Sequence, residues 1–287
     1  MAALARSLRP RQWVKNVLVG AAPLAAGALD EVSVIAGTAA AFLVFCLASS
    51  AIYLVNDIVD APSDRAHPTK RSRPIAAGAL SATTASAAVV ILALAALSIA
   101  AGTDADLTAV VAVYFAVSLA YCFGLKHQRV IDMAIVAGGF LLRAIAGGAA
   151  VGLPLSRWFL IVAAFGSLFM VAGKRYSELV SLGDSAALSR SSLAGYSASY
   201  LRFVWGVSAA VTITAYCLWA FEVGDQPGWL AWGPLSVVPF VMAIFRFALD
   251  IDGARASAPD EIVLRDRTLL ALGALWLVLF AAGAFGV

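Results

Sequence analysis

The chain has 287 residues, of which 62% are apolar and only 13% are charged. A soluble domain of this size usually contains about half apolar and about a quarter charged residues, so the composition excludes an ordinary water-soluble fold. The net charge of +3 is small, and nothing in it indicates a nucleic-acid partner. The composition therefore predicts a protein that is embedded in a membrane.

The apolar residues lie in blocks of about twenty, which is the helix length that crosses a hydrocarbon core of about 30 Å. Because backbone in lipid must satisfy its own hydrogen bonds, these Ala- and Leu-rich blocks predict helices rather than strands. We predict an all-α, polytopic membrane protein, a single domain over residues 1–287 with about nine transmembrane helices. The predicted spans are 14–29, 33–56, 81–101, 106–125, 131–152, 157–173, 203–222, 229–249 and 268–286.

Basic residues are concentrated on one side of these spans. The opposite side carries only Arg157, among several acidic residues. By the positive-inside rule, the basic side faces the cytoplasm, with the N-terminus inside and the C-terminus outside the plasma membrane. The polar loops on that side are predicted at about 57–80, 126–130, 174–202 and 250–267. Because loops on a rigid scaffold commonly carry function, we expect the active site on the cytoplasmic face.

Three carboxylates follow the second predicted span. Asp57, Asp60 and Asp64 are three and four residues apart, so on a helix they would share a face, although Pro62 must distort the later turn. Carboxylates this close repel one another unless a cation joins them, and their oxygen atoms suit Mg²⁺ that is completed by substrate phosphates. We therefore predict that the three aspartates bind Mg²⁺ and a diphosphate and form the catalytic centre.

The residues around the three carboxylates complete this interpretation. Asn56 is expected to orient or contact the metal–diphosphate group, while Arg65, Lys70 and Arg73 supply charge complementary to phosphate. The alternative is a solvated loop in which acids and bases only pair with each other.

The stretch from Asn56 to Pro74 reads NDxxDxxxDRxHPxKxxRP. It resembles the first Asp-rich motif of the UbiA superfamily of intramembrane prenyltransferases. The resemblance extends to the layout of spans and loops along the chain. It implies a UbiA-like helical bundle in which this motif binds Mg²⁺ and a diphosphate.

The sequence departs from that family after the sixth predicted span. Family members usually carry a second acid-rich motif, DxxxD, whereas this chain has GKRYSE at residues 173–178, with two cations and one acid. This composition argues against a second metal-binding pair and against ordinary prenyl-diphosphate chemistry. It suits direct binding of phosphate oxygens instead.

Three segments, LRPRQWVKN near the start, GKRYSE, and PDEIVLRDR at residues 259–267, resemble the decaprenyl-phosphate phosphoribosyltransferase branch of the superfamily. The resemblance implies transfer of 5-phosphoribose from phosphoribosyl pyrophosphate to a polyprenyl (decaprenyl) phosphate, with release of pyrophosphate, for cell-wall arabinan precursors. The acceptor oxygen is already ionised near neutral pH, so no general base is required. Catalysis would rest on positioning and on stabilising the departing pyrophosphate.

Further substrate contacts are predicted in the other cytoplasmic loops. In the GKRYSE segment, the phosphoribose is expected to contact Lys174, Arg175, Tyr176 and Glu178, and the loop near 126 is expected to line the cavity with Tyr121, Lys126 and Asp132. In the last loop, the ribose hydroxyls are expected to contact Glu261 and Asp266. In the first segment, Lys15 is expected to contact the acceptor phosphate. A structural role remains the alternative for each.

Three other features have competing interpretations. Arg143 lies within a predicted span, where an ionisable residue indicates either a functional site or a buried pair. Arg246 and Asp250 are four residues apart and are predicted to pair. His67 lacks metal-ligand partners and is expected to serve the loop rather than catalysis.

Two rival functions and the state of assembly stay open. One rival is a prenyltransferase acting on an aromatic or quinone precursor, which predicts a second carboxylate pair. The other is a transporter for a lipid or a phosphorylated solute, which predicts flux without bond formation. A homo-oligomer is compatible with the sequence.

Overall fold

The computed structural model describes residues 2–182, 193–224, 232–258, 262–263 and 265–284. Within these ranges the chain forms helices and turns and contains no strand, which confirms the predicted all-α class.

The chain begins with short helical elements. These are α1 (Ala2–Ser7), a 3₁₀ helix (Pro10–Gly20) and α2 (Ala21–Ala25). The next seven helices of the described chain are all long and apolar enough to cross a membrane. They are α3 (Val32–Ala66), α4 (Ala82–Thr103), α5 (Ala105–Phe123), α6 (Ile131–Ala149), α7 (Arg157–Leu182), α8 (Ala198–Gly224) and α9 (Trp232–Asp252).

The predicted number of about nine spans is therefore a loose count. The last predicted span corresponds to α10 (Arg267–Ala284), whose apolar stretch is shorter than that of the seven. The first predicted span, 14–29, is not one long helix, because Pro10–Gly20 is a 3₁₀ helix followed by the five residues of α2. A 3₁₀ helix rises about 2 Å per residue, so the 11 residues of Pro10–Gly20 extend over about 22 Å.

Helices α3 and α7 continue beyond the boundaries that hydropathy predicts. Helix α3 ends at Ala66 rather than near residue 56, and α7 ends at Leu182 rather than near residue 173. Hydropathy detects where the hydrocarbon core ends, but a helix can continue into water. The Asp-rich motif and the GKRYSE segment thus lie on helical turns, where their side chains have fixed directions.

The chain divides into two compact units. The first comprises Met1–Pro23, Ala28–Ile135 and Leu142–Pro154, and the second comprises Leu24–Gly27, Val136–Leu141 and Leu155–Val287. In the first unit, α3 packs against α4, α5 and the 3₁₀ helix. In the second unit, α7 packs against α8, and α9 packs against α7, α8 and α10.

Small residues allow close backbone contact in the first unit. A Cβ atom on Gly147 of α6 would collide with the carbonyl oxygen of Val19, and one on Gly37 of α3 would lie 2.5 Å from the Val151 side chain. Val19 is fully buried whereas Val14 and Val17 are exposed, so the 3₁₀ helix packs one face against the rest of the unit. Gly147 therefore sets how close the N-terminal segment comes to α6.

Candidate active site

The three predicted carboxylates lie on the last three turns of α3, and the helix continues through Pro62. Asp57 and Asp64, seven residues apart, share one face and are only 2% and 3% exposed. The side chain of Asp60 is 26% exposed. Burial of two carboxylates at the end of one helix requires compensating positive charge, since a buried unpaired charge is strongly destabilising.

Arg73 supplies part of that charge by joining two of the carboxylates. Its Nη1 atom lies 3.1 Å from Asp57 Oδ1 and 2.8 Å from Asp64 Oδ2. The turn after α3 brings Arg73 back to the helix, and His67 Nδ1 accepts hydrogen bonds from the backbone N–H groups of Thr69 and Lys70 in that turn, both at 3.3 Å. His67 thus stabilises the turn, in keeping with the expected loop role.

Asp60 has different partners. Lys126, on the short 3₁₀ turn Leu125–His127, forms an ion pair with Asp60 Oδ1, and Asn56 Nδ2 donates to Asp60 Oδ2 at 2.9 Å. The structure therefore brings Asp57 and Asp64 together at the Arg73 guanidinium. Asp60 is held separately by Lys126 and Asn56.

The residues present fit a divalent cation in their chemistry. One nitrogen of Arg73 already lies within about 3 Å of oxygen atoms from both Asp57 and Asp64, so the two carboxylates converge on a single cation position. Carboxylate oxygens are the ligands that Mg²⁺ prefers. No group of three or more His, Cys, Asp or Glu side chains within the described ranges is arranged to hold a metal ion, so the convergent set consists of these two carboxylates.

The other predicted residues of the first unit differ in how much of each side chain is exposed to solvent. Lys15, Lys70 and Tyr121 are half-buried, and Arg65 is exposed. Asp132 is completely buried in the first turn of α6. The structure records no direct contact of Arg65 with the carboxylates, in contrast to Arg73.

Arg143 belongs to a buried polar network within the membrane-spanning part of the first unit. Its Nε donates to Asn16 Oδ1 at 2.7 Å, and its guanidinium lies over the rings of Phe45 and Tyr114 at 5.5 and 5.3 Å. Asn16 in turn donates to Cys46 Sγ at 3.3 Å. Arg143 therefore connects α6 to the N-terminal segment through the neutral amide of Asn16.

The GKRYSE residues lie on the last turns of α7, in the second unit. Arg175 and Tyr176 are buried, at 2% and 3% exposure. Lys174 Nζ lies 3.7 Å from Glu178 Oε1, and the Tyr176 hydroxyl accepts from Arg202 Nη2 at 2.6 Å. The structure thus places all four predicted residues on one helix end, with Lys174 and Glu178 as a local pair.

Asp250 near the end of α9 and Asp266 before α10 form ion pairs or hydrogen bonds within the second unit. Asp250 pairs with Arg246 at 3.7 Å, as predicted, and with Arg255 at 2.8 Å. Asp266 caps α10, because its Oδ1 accepts from the backbone N–H groups of Thr268 and Leu269 at 2.8 and 3.2 Å. The predicted Glu261 lies outside the described residues.

Opposing effects act on the pKa of Asp266. Desolvation raises this pKa. The backbone N–H groups of Leu269 and Thr268 lower it, as does the Arg246 guanidinium 2.5 Å away, and together these groups outweigh the desolvation. The net pKa lies below the ordinary value for aspartate. Asp266 therefore acts as a helix cap in this structure, and its predicted ribose contact stays a prediction.

Two contributing residues were not predicted from the sequence. Arg9 Nη2 lies 2.5 Å from Asp57 Oδ1, although Lys15 was the one residue of its segment predicted to contact a substrate. Ser177, fully buried, donates to the Ile251 carbonyl at 3.4 Å and accepts from the Ala256 N–H at 3.1 Å. Its position inside GKRYSE was the available signal, whereas the role of Arg9 depends on a chain reversal that no sequence motif announces.

Comparison with known proteins identifies the family. The UbiA prenyltransferase family matches residues 16–263. The chain is 50% identical to a decaprenyl-phosphate phosphoribosyltransferase of Mycobacterium tuberculosis, over 100% of this chain and 96% of that protein. It is 51% identical to a protein of the same name from Mycolicibacterium smegmatis, over 98% and 92% of the two chains.

A solved structure shares the fold. A UbiA homologue from Archaeoglobus fulgidus, bound to GPP and Mg²⁺, superposes with a TM-score of 0.72 at 17% identity, over 99% of this chain and 100% of that one. The extent of the family match and the identity to full-length relatives agree with the motif and with the helical architecture. This multi-pass membrane chain belongs to the UbiA prenyltransferase family.

Proposed function

We propose that this protein is a membrane glycosyltransferase that moves 5-phosphoribose from phosphoribosyl pyrophosphate to a polyprenyl phosphate, decaprenyl phosphate in the first instance, and releases pyrophosphate. The observation that carries the proposal is identity of about half of all residues, over essentially the whole chain, to decaprenyl-phosphate phosphoribosyltransferases. The product is suited to cell-wall arabinan synthesis.

The donor's pyrophosphate group is assigned to the carboxylate end of α3. Asp57 and Asp64 would hold Mg²⁺, with Asp60 and Asn56 beside them, and Arg73 and Lys126 would bind phosphate oxygens. When bound, Mg²⁺ neutralises charge that develops on the departing pyrophosphate. The basic side chains then need to move only from carboxylate to phosphate oxygens, which offer stronger, charge-assisted hydrogen bonds.

The acceptor requires no base from the protein. Its phosphate oxygen is ionised near neutral pH, and it attacks the anomeric carbon as the bond to pyrophosphate breaks. The electron pair of that bond leaves with the pyrophosphate, no proton is transferred, and the configuration at the carbon inverts. His67, which holds the turn at residues 67–70, is thus free of any catalytic duty.

The basic end of α7 is proposed to bind phosphate. Lys174, Arg175, Tyr176 and Glu178 share the last turns of that helix, and the Lys174–Glu178 pair is partly exposed. A lysine engaged only in an exposed local pair gives up little when it exchanges the carboxylate for a phosphate, because such pairs are worth about 0.5 kcal/mol. Lys15 is assigned to the acceptor phosphate.

The proposed orientation follows the distribution of charge. The carboxylate end of α3 and the basic end of α7 both belong to the Lys- and Arg-rich side of the chain, which the positive-inside rule assigns to the cytoplasm. The N-terminus would then lie inside and the C-terminus outside the plasma membrane. A water-soluble donor reaches such a site directly, while the lipid acceptor reaches it from the bilayer.

A transfer assay with alternative donors tests the proposal. Purified protein in detergent receives Mg²⁺ and decaprenyl phosphate with ribose-labelled phosphoribosyl pyrophosphate. The proposal predicts that label enters the lipid phase and that EDTA stops its transfer. A parallel reaction supplies a prenyl diphosphate and an aromatic acid. Product in the second reaction alone would make the protein a prenyltransferase of the wider family and contradict the proposal.

A further inference from the structure

Arg9 reaches the candidate active site from the N-terminal segment. Its Nη2 atom lies 2.5 Å from Asp57 Oδ1, the same oxygen that Arg73 Nη1 contacts at 3.1 Å. Asp57 is 2% exposed, whereas the Arg9 side chain is 29% exposed. One buried carboxylate oxygen therefore has two guanidinium partners, both of them partly exposed.

The N-terminal segment is fixed along a single face of α3. Asn16 donates to Cys46 Sγ at 3.3 Å, and Trp13 Nε1 donates to Ser50 Oγ at 3.1 Å. Cys46, Ser50 and Asp57 recur at helical spacing, so these contacts lead down the helix toward the carboxylates.

Two further contacts fix the place where the segment reaches those carboxylates. Ser50 Oγ donates to the carbonyl of Leu8 at 2.9 Å. The guanidinium of Arg9 lies 4.9 Å from the centre of the Tyr53 ring. These contacts hold Arg9 at the level of Asp57 independently of their ion pair.

The backbone of Arg9 supports a specific role for this residue. Its φ of 54° and ψ of 57° place it in the left-handed region, which disfavours a residue with a Cβ relative to the right-handed form. Glycine is the residue that avoids this cost. An arginine at the reversal between α1 and the 3₁₀ helix therefore gives its side chain a use that outweighs the backbone strain.

Charge balance defines what that use is. A divalent cation that binds Asp57 must compete for an oxygen that two guanidinium groups already contact. Arg73 also contacts Asp64, so two carboxylates hold it. The exposed fractions of the two side chains are similar, at 29% for Arg9 and 26% for Arg73. Arg9 is also attached to a separate segment, so its release leaves the turn after α3 intact.

We infer that Arg9 exchanges partners at this site: it neutralises Asp57 before the divalent cation binds, and it then contacts the pyrophosphate group of the donor. The donor contact rests on the proposed function, whereas the competition with the cation does not. A residue that only fastens the N-terminal segment would act differently, because its loss would not favour binding of the cation.

Binding of Mn²⁺ alone, followed by electron paramagnetic resonance in the absence of any donor, tests the competition. Arg9→Gln is expected to bind Mn²⁺ about tenfold more tightly than the wild type, since a charge-assisted bond to Asp57 no longer competes. Arg11→Gln is the matched control, because Arg11 is an exposed residue of the same segment. It should change the dissociation constant by less than about twofold, since exposed charges interact weakly.

The donor contact is tested separately by steady-state kinetics. Arg9→Gln should raise the KM for phosphoribosyl pyrophosphate about tenfold at saturating Mg²⁺, and Arg11→Gln should leave it within about twofold. Tighter Mn²⁺ binding together with weaker donor use is a combination that general damage to the fold does not produce.

Each outcome has a defined meaning. Unchanged or weaker Mn²⁺ binding by Arg9→Gln would overturn the competition, and an unchanged KM would overturn the donor contact. If the glutamine variant does not fold, Arg9→Gly takes its place, because glycine accepts the left-handed backbone, and the same two results decide. If the wild type transfers no phosphoribose at all, the proposed function fails while the Mn²⁺ comparison still decides the competition.

Discussion

The two units of the molecule use acidic side chains in different ways. In the first unit, basic groups from three separate segments, carrying Arg9, Arg73 and Lys126, meet the carboxylates at the end of α3. In the second unit, Arg246 contacts Asp250 and Asp266 through different nitrogen atoms, at 3.7 and 2.5 Å, Asp250 also pairs with Arg255, and Asp252 pairs with Arg202. Convergence of two carboxylates on one nitrogen atom marks a single cation position in the first unit, whereas the pairs of the second unit fasten loops and helix ends.

The difference explains why one family motif is present and the other is changed. The first unit keeps the Asp-rich motif and gathers cations onto it. At the end of α7 the second unit has Lys174 and Arg175 where acids are usual, and Ser177 secures the segment after α9 through the Ile251 carbonyl and the Ala256 N–H. Under the proposed function, the first unit would hold the metal ion and the second would bind phosphate directly.

The largest expected effect comes from removing a convergent carboxylate. Asp57→Asn and Asp64→Asn should each lower the rate of transfer by more than about 100-fold, because changes even to the partners of metal ligands lower activity about 10–100-fold. The matched control is Asp252→Asn in the second unit, which removes an exposed pair with Arg202 and should change the rate less than about fivefold. Equal losses from both units would contradict the asymmetry.

Glycine substitutions compare how tightly the two units are packed. A Cβ on Gly147 would meet the Val19 backbone, whereas one on Gly173 would meet the side chain of Ile251. Because backbone yields less than a side chain, Gly147→Ala should destabilise by about 3 kcal/mol or more and Gly173→Ala by about 1–2 kcal/mol. Melting temperatures of the two variants in detergent show which substitution destabilises the protein more.

Gly138→Ala is the control for these substitutions. No atom of the described chain lies within 4 Å of the position that its Cβ would take. Replacing a helical glycine with alanine in open space should stabilise by about 0.5–1 kcal/mol. A melting temperature for Gly173→Ala below that of Gly147→Ala would contradict the comparison.

Backbone strain in the first unit offers a smaller test. Val130 has a φ of 67° and ψ of −51°, and the N–H of Ile131 bonds to the Arg129 carbonyl at 2.7 Å, which is a strained γ-turn at the start of α6. Val130→Gly should raise stability by about 1 kcal/mol, because glycine accepts this conformation. Ile131→Gly, one residue later and inside the helix, should lower it. Equal losses of stability from Val130→Gly and Ile131→Gly would contradict the presence of backbone strain at Val130.

The smallest expected effect concerns the cap of α10. Asp266→Ala should lower the melting temperature at pH 7, while Asp266→Asn, which keeps a capping oxygen, should lower it less. Because the folded pKa of Asp266 is depressed, its charge contributes stability above the ordinary aspartate pKa of about 3.9. That contribution is lost as the pH falls through the lower folded pKa.

Melting curves of the wild type and Asp266→Asn between neutral pH and about pH 3 measure this dependence. The difference between the two proteins should shrink as the pH falls below the ordinary aspartate pKa. A difference that grows on acidification would contradict the depressed pKa.

The sequence predicted the features that depend on local pattern. Hydropathy indicated the all-α membrane class, and the spacing of Asp57, Asp60 and Asp64 indicated a helical acidic face, because both depend on residues close together in the chain. The length of α3 and α7 beyond the hydrocarbon boundary was missed, since hydropathy does not report where a helix ends in water. The 3₁₀ form of the first segment was missed as well, since a hydropathy pattern does not distinguish a 3₁₀ helix from an α-helix.

The candidate site was predicted in part. Asp57, Asp64 and Arg73 were identified from the motif, and the structure brings them together. Arg9 is 48 residues from Asp57 in the chain, and its placement depends on a left-handed backbone that sequence patterns do not reveal. Asp266 was expected at the substrate, and its role as a helix cap was not predicted, although an aspartate before an apolar helix commonly accepts from backbone N–H groups.

The most direct test of the account follows both halves of the donor in one reaction. Phosphoribosyl pyrophosphate labelled separately in the ribose and in the β-phosphate is incubated with purified protein, Mg²⁺ and decaprenyl phosphate. The account predicts that the ribose label moves into the lipid while the β-phosphate label stays in water as pyrophosphate, and that Asp57→Asn abolishes both changes. Transfer of the β-phosphate label to the lipid, or full transfer by Asp57→Asn, would contradict it.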